Sequence, residues 1–138
     1  MISLRKAFTP ASPYKNVARF AAILWTLLLF ALCFMPGKEV PRVNIPFIDK
    51  WAHFVLFGTF AILWLCAYPS RRMSRLLIVF VAGIALGWLV EFVQGQLPAL
   101  GRSQDNMDAL ADAVGALLGV LLFAVIARRA EKRQSTLL

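Results

Sequence analysis

Four apolar runs, each long enough to cross a bilayer, leave this chain few ways to fold. They cover residues 17–35, 51–68, 76–94 and 107–127. A helix of about 20 residues, rising 1.5 Å per residue, spans a hydrocarbon core of about 30 Å. Hydrocarbon offers no partner to a backbone N–H or C=O, so each run is expected to satisfy its own as a helix. Composition agrees: 60% of the 138 residues are apolar and 16% are charged, with a mean hydropathy of +0.71. Ordinary soluble domains have roughly 45–50% apolar and about 25% charged residues. The expected fold is an all-α integral membrane bundle of four transmembrane helices. Residues 1–16 read as a flexible basic lead, 17–127 as the transmembrane domain and 128–138 as a basic tail.

The net charge of +8 would suit a nucleic-acid binder if it formed a stripe on a soluble scaffold. It does not. Eleven of the 15 basic residues fall on one side of the expected bundle: Arg5, Lys6, Lys15 and Arg19, then Arg71, Arg72 and Arg75, then Arg128, Arg129, Lys132 and Arg133. Lys38, Arg42, Lys50 and Arg102 fall on the other. The positive-inside rule makes the richer side cytoplasmic, which predicts a multi-pass inner-membrane protein with both termini inside. The lipid bilayer is then the expected partner, and nucleic acid is not. Basic residues before the first run also fit a signal peptide, but the run is long for a signal core and no small-x-small cleavage site follows. It is read as a retained helix. Cys33 and Cys66 fall near opposite ends of their helices, too far apart for the roughly 7 Å that a disulfide requires between Cα atoms.

Five of the seven acidic residues, Asp49, Glu91, Asp105, Asp108 and Asp112, fall on or near the side poor in Lys and Arg. Asp49, Lys50 and His53 open the second helix, with Asp49 and His53 four apart on one face. Glu91 and Gln94 close the third. The loop after it carries Arg102, Ser103, Asp105 and Asn106, and Asp108 and Asp112 share a face at the start of the fourth. Charged groups at membrane depth are costly unless paired or wet, and mark a functional site by default. Several have a structural alternative. Asp49, Ser103 or Asp105 could be N-caps, Asp108 could complement a helix dipole, and Lys50 and Trp51 could be interfacial anchors. His53, Glu91 and Asp112 lie about a turn inside their apolar runs and are the candidate catalytic residues. Arg102, Gln94, Lys50, Asp49 and Asp108 are candidate substrate-binding residues, with Arg102 the expected counter-ion of the carboxylates. Gly83 and Gly87, and Ala111, Gly115 and Gly119, are small residues at four-residue spacing that let helices approach closely. They suggest an antiparallel pair of the third and fourth helices that brings Glu91 to Asp108 or Asp112. Pro36, Pro41 and Pro46 suggest an extended first loop that could cover the cluster as a lid.

The segment Asp49-Lys50-Trp51-Ala52-His53-Phe54-Val55-Leu56-Phe57-Gly58 resembles the D-K-x-x-H-F-x-x-F motif of the VanZ-like membrane proteins. Glu91-Phe92-Val93-Gln94, followed by Pro98, Arg102, Asp108, Asp112, Gly115 and Gly119, is similar to the second signature of that family. One departure stands out, because many members have Asn where this chain has Asp112. The resemblance covers residues 20–125 and implies a bacterial cytoplasmic-membrane protein with a family association to glycopeptide (teicoplanin) resistance.

Two functions compete. One is an enzyme acting on a lipid or lipid-linked cell-envelope precursor at the outer leaflet, with His53 oriented by Asp49 and poised for proton transfer. The other is a non-enzymatic module that binds an ion, a lipid headgroup or a glycopeptide and modulates envelope properties or antibiotic access. Transport through four short helices would call for a homo-oligomer. The sequence identifies no cofactor. A metal variant would use His53, Glu91, Asp108 and Asp112, a donor set suited to Mn, Mg or Fe rather than to structural zinc.

Overall fold

The structure is a computed structural model describing residues 4–40 and 44–135, with the side chains of residues 4, 5 and 133–135 left out of the description. Pro41 and Arg42, counted above with the first loop, and the side chains of Arg5 and Arg133 therefore lie outside the described residues. Four helices follow one another: α1 (Lys15–Cys33), α2 (Ile48–Ala67), α3 (Met73–Gln96) and α4 (Asn106–Ser135). Each is long and apolar enough to cross a membrane, and no strand occurs among the described residues. The four expected spans are present, each with ends shifted by a few residues. The largest shift is in α4, which runs on through the basic tail.

Helix α2 is the hub and packs against each of the other three. Towards its C-terminal end, Ala61, Leu65 and Cys66 form a core with Val79 of α3 and Ala116, Val120 and Phe123 of α4. Towards its N-terminal end, Leu56, Phe57 and Phe60 pack against Leu29 and Cys33 of α1 and Val90 of α3. Both cysteines are free and buried. Leu24 and Leu27 of α1, Ile78 and Val81 of α3 and Leu121 and Leu122 of α4 remain exposed on the outside of the bundle. Water would not tolerate so much apolar surface, and lipid would. Helix α1, the least buried of the four, is tied to α2 by polar groups. Trp25 Nε1 donates to Leu56 O at 2.9 Å and Trp64 Nε1 donates to Thr26 Oγ1 at 3.1 Å, while Thr26 Oγ1 donates within α1 to Ala22 O at 2.7 Å. Such bonds have no competition from solvent inside a membrane.

The up-and-down course brings the basic segments together. The 3-10 turn Leu4–Phe8 lies in the lead expected to be flexible, and the Phe8 ring packs at a tilt against Phe123 of α4 with ring centroids 5.5 Å apart. Arg71, between α2 and α3, pairs with Glu131 near the end of α4. The guanidinium groups of Arg19 and Arg75 lie 4.7 and 5.8 Å from the Tyr68 ring centre. The first loop is not wholly extended, because Gly37–Glu39 form a 3-10 turn. It meets the α3–α4 loop at the opposite end of the bundle, where a Cβ on Gly37 would come 2.9 Å from Gly101 O.

The small residues are used differently from expectation. Gly115 and Gly119 face α2, not α3. A Cβ on either would collide with the backbone carbonyl of Phe54 or of Gly58. Gly83 and Gly87 of α3 meet the adjacent stripe of α4, at Ala116 and Asp112. Helix α4 thus shows two neighbouring small faces to two partners, and the closer approach is to α2.

Candidate functional site

The end of the bundle away from the basic clusters gathers residues from α2, α3, α4 and the loop before α4. Helix α2 begins after Phe47, a bulky residue in the left-handed region at φ 56°, a conformation costing roughly 1–2 kcal/mol without glycine. Asp49 follows in the first turn and makes no side-chain cap, contrary to the capping role considered for it. It is exposed and contacts Lys50. Asp105 does cap α4, its Oδ1 accepting the Met107 N–H at 2.8 Å. Ser103 and Asn106 are exposed.

Two clusters result. In the outer one, Lys50 Nζ lies 2.9 Å from a carboxylate oxygen of each of Asp49, Asp105 and Asp108. Its ammonium offers three donors, and all three are used. Lys50 is therefore the cation at the centre of an acidic cluster. Its ammonium holds the Asp105 carboxyl below the ordinary aspartate range. The role expected of Arg102 falls to Lys50. Among the described contacts, Arg102 Nε donates to Met35 O at 3.0 Å and fastens the first loop. Gln94, also expected at the site, instead donates from Nε2 to Cys33 O at 2.7 Å and ties α3 to the end of α1.

The inner cluster is His53, Glu91 and Asp112, all buried. His53 Nδ1 lies 2.9 Å from Asp112 Oδ1 and 4.0 Å from Glu91 Oε1, and its Nε2 lies 3.9 Å from Asp108 Oδ2. Facing a carboxylate, which only accepts, Nδ1 is the donor. Asp112 therefore orients the ring, the task expected of Asp49. Glu91 Oε2 accepts the Asp105 backbone N–H at 2.8 Å, which stiffens the carboxylate from one side. Glu91 Oε1 and Asp112 Oδ2 are buried and have no hydrogen-bond partner among the described residues. Gly87 makes the arrangement feasible, since a Cβ there would come 2.7 Å from Asp112 Oδ2. Its contribution was visible in sequence only as packing, four residues before Glu91. The use of the Asp105 backbone to hold Glu91 had no sequence signal at all.

Beside the clusters a groove of about 480 Å³ opens between α2 and α4, lined by Phe47, Trp51, Phe54, Leu110 and Val114, with Lys50 also on its wall. It is apolar along its length and polar at that one point. No curated protein and no solved structure matches this chain significantly. The family model described as VanZ/LLP1 matches residues 7–127, which include all of α1, α2 and α3 and most of α4. With both polar signatures inside that match, the chain belongs to the VanZ/LLP1 family.

Proposed function

We propose that this protein resides in the bacterial inner membrane with both termini in the cytoplasm, and that its polar end acts on a lipid or lipid-linked cell-envelope substrate at the outer leaflet. The observation that carries the reading is the pair of unpartnered oxygens, Glu91 Oε1 and Asp112 Oδ2, buried beside His53. A cluster retained only to hold helices together would satisfy its members, because each buried unpaired polar atom costs about 1–3 kcal/mol. Groups left open at that expense are available to something that arrives. The basic lead, the α2–α3 loop and the α4 tail support the orientation through the positive-inside rule.

In this reading Asp112 fixes the His53 ring and stabilises its charged form, which leaves Nε2 to exchange a proton with substrate. Glu91 supplies a second carboxylate on the Nδ1 side. The groove between α2 and α4 accepts an apolar tail and brings the headgroup to the level of Lys50. The competing reading is a module that binds an ion, headgroup or glycopeptide without breaking a bond.

His53→Gln, Glu91→Gln and Asp112→Asn, each as the sole copy in its host and each checked for membrane insertion, separate the two. The enzymatic reading expects the same envelope lipid or lipid-linked precursor to accumulate in all three. Normal insertion with unchanged lipid and precursor profiles in all three would sink it.

A further inference from the structure

The two clusters at the polar end differ in one respect. The carboxylates of Asp49, Asp105 and Asp108 surround the Lys50 ammonium. Among the described residues, the one basic side chain near Glu91 and Asp112 is His53. Five acidic side chains thus face one lysine and one imidazole, so with all five carboxyls ionised even a charged His53 leaves a surplus of negative charge. An anionic headgroup would be repelled by that surplus, and a cation would be drawn to it. The surplus is concentrated where water is scarce, since Glu91 and Asp112 are both 0% exposed.

We propose that His53 Nδ1, Glu91 Oε1 and the Asp112 carboxylate form a binding site for a divalent transition-metal ion of the Mn(II) or Fe(II) kind. One donor atom from each residue lies within 4.8 Å of the other two. The nitrogen-to-oxygen separations are 2.9 and 4.0 Å. Donors on bonds of about 2.1 Å stand about 3.0 Å apart at neighbouring octahedral corners and about 4.2 Å apart at opposite ones. The set therefore closes on an ion with small rotations of the carboxylates. Both unpartnered oxygens, Glu91 Oε1 and Asp112 Oδ2, belong to these ligands, so an ion gives each carboxylate the partner it lacks.

The surroundings fit as well. Metal-binding histidines direct their other ring N–H at a carboxylate or carbonyl that sets the tautomer. His53 Nε2 faces Asp108 Oδ2 at 3.9 Å, and Asp108 is itself anchored by Lys50. Glu91 is held through Oε2 by the Asp105 backbone, which leaves Oε1 to bind. An imidazole with two carboxylates favours Mn(II) or Fe(II) over the all-oxygen sites typical of Mg(II) or Ca(II). Binding displaces the proton that His53 otherwise shares with Asp112. Three protein ligands leave coordination positions for water or for an oxygen of a bound headgroup, so the ion would let this acidic pocket accept a phosphate or carboxylate. The inference shares residues with the reactive centre proposed above, and with the ion bound His53 is a ligand through Nδ1 and no longer the proton carrier; uptake of the ion needs no turnover, so either reading can fail alone.

The test uses the full chain in lipid nanodiscs, stripped with chelator and titrated with manganese chloride. Free Mn(II) is followed by electron paramagnetic resonance. Wild type is expected to take up one Mn(II) per chain, and pulsed spectra to show coupling to an imidazole nitrogen. Affinity should fall about tenfold or more in Glu91→Gln and in Asp112→Asn, and stay unchanged in Glu131→Gln at the far end of the bundle. Nitrogen coupling requires no variant, so it decides the matter even if a substitution prevents folding. Absence of Mn(II) uptake by wild type, uptake without nitrogen coupling, or equal affinity in folded Glu91→Gln and Asp112→Asn would each overturn the site.

Discussion

Asp105 shows how much one residue does at the polar end. Its Oδ1 caps α4, its Oδ2 binds Lys50, and its backbone N–H holds Glu91. Asn caps a helix about as well as Asp, so Asp105→Asn removes the charge and spares the cap. Lys50 holds the Asp105 carboxyl below its ordinary value. A depressed acid adds stability above its unfolded value, about 3.9 for Asp, and that stability is lost as pH falls through the folded value. Asp105→Asn should therefore melt below wild type at neutral pH, and the gap should close in acid below the ordinary aspartate range. Thermal unfolding in detergent at both pH values checks this, and a gap that persists in acid would mean that the Lys50 contact is not its source.

Helix faces decide how the elements meet. The carbonyls of Phe54 and Gly58 on α2 lie where Cβ atoms at Gly115 and Gly119 would be, so the approach of α2 to α4 depends on two missing methyl groups. That approach seats His53 of α2 against Asp112 of α4. Gly115→Ala must push the two helices apart, at the roughly 1–3 kcal/mol typical of overpacking. It should also lengthen the His53–Asp112 contact although it touches neither residue. Melting temperature reports the first effect, and the imidazole nitrogen-15 shifts report the second. A variant with wild-type stability and unchanged shifts would show that the helices do not pack this closely.

At the scale of the whole molecule, the basic clusters and the carboxylates around Lys50 and His53 lie at opposite ends of one bundle. The Arg71–Glu131 pair and the Phe8–Phe123 ring contact close the basic end. Gly37 against Gly101 and Arg102 on Met35 close the polar end. The proposed orientation has a direct check. A reporter active only in the periplasm should be active when fused after Gly101 and silent when fused after Arg72. The reverse pattern would turn the protein over and place its polar end in the cytoplasm.

Much of this was legible before any coordinates. Apolar runs of bilayer length must become helices, because hydrocarbon leaves the backbone no other partner. Counting turns along those helices then brings His53, Glu91, Asp108 and Asp112 to one end, whatever the packing. Spacing along a helix shows which residues share a face, however, and not which neighbour that face meets. From sequence Gly115 and Gly119 are expected to face α3, and Arg102 is the expected counter-ion of the carboxylates. The packing of three helices around α2 settles both points. It turns Gly115 towards the Phe54 carbonyl, draws Arg102 to Met35 and encloses Lys50 among three carboxylates. Whether His53 would be oriented by Asp49, four residues away, or by Asp112, 59 residues away, depends on how closely α2 and α4 approach. Only the folded bundle sets that distance, because it arises from contacts between segments that the chain itself holds far apart.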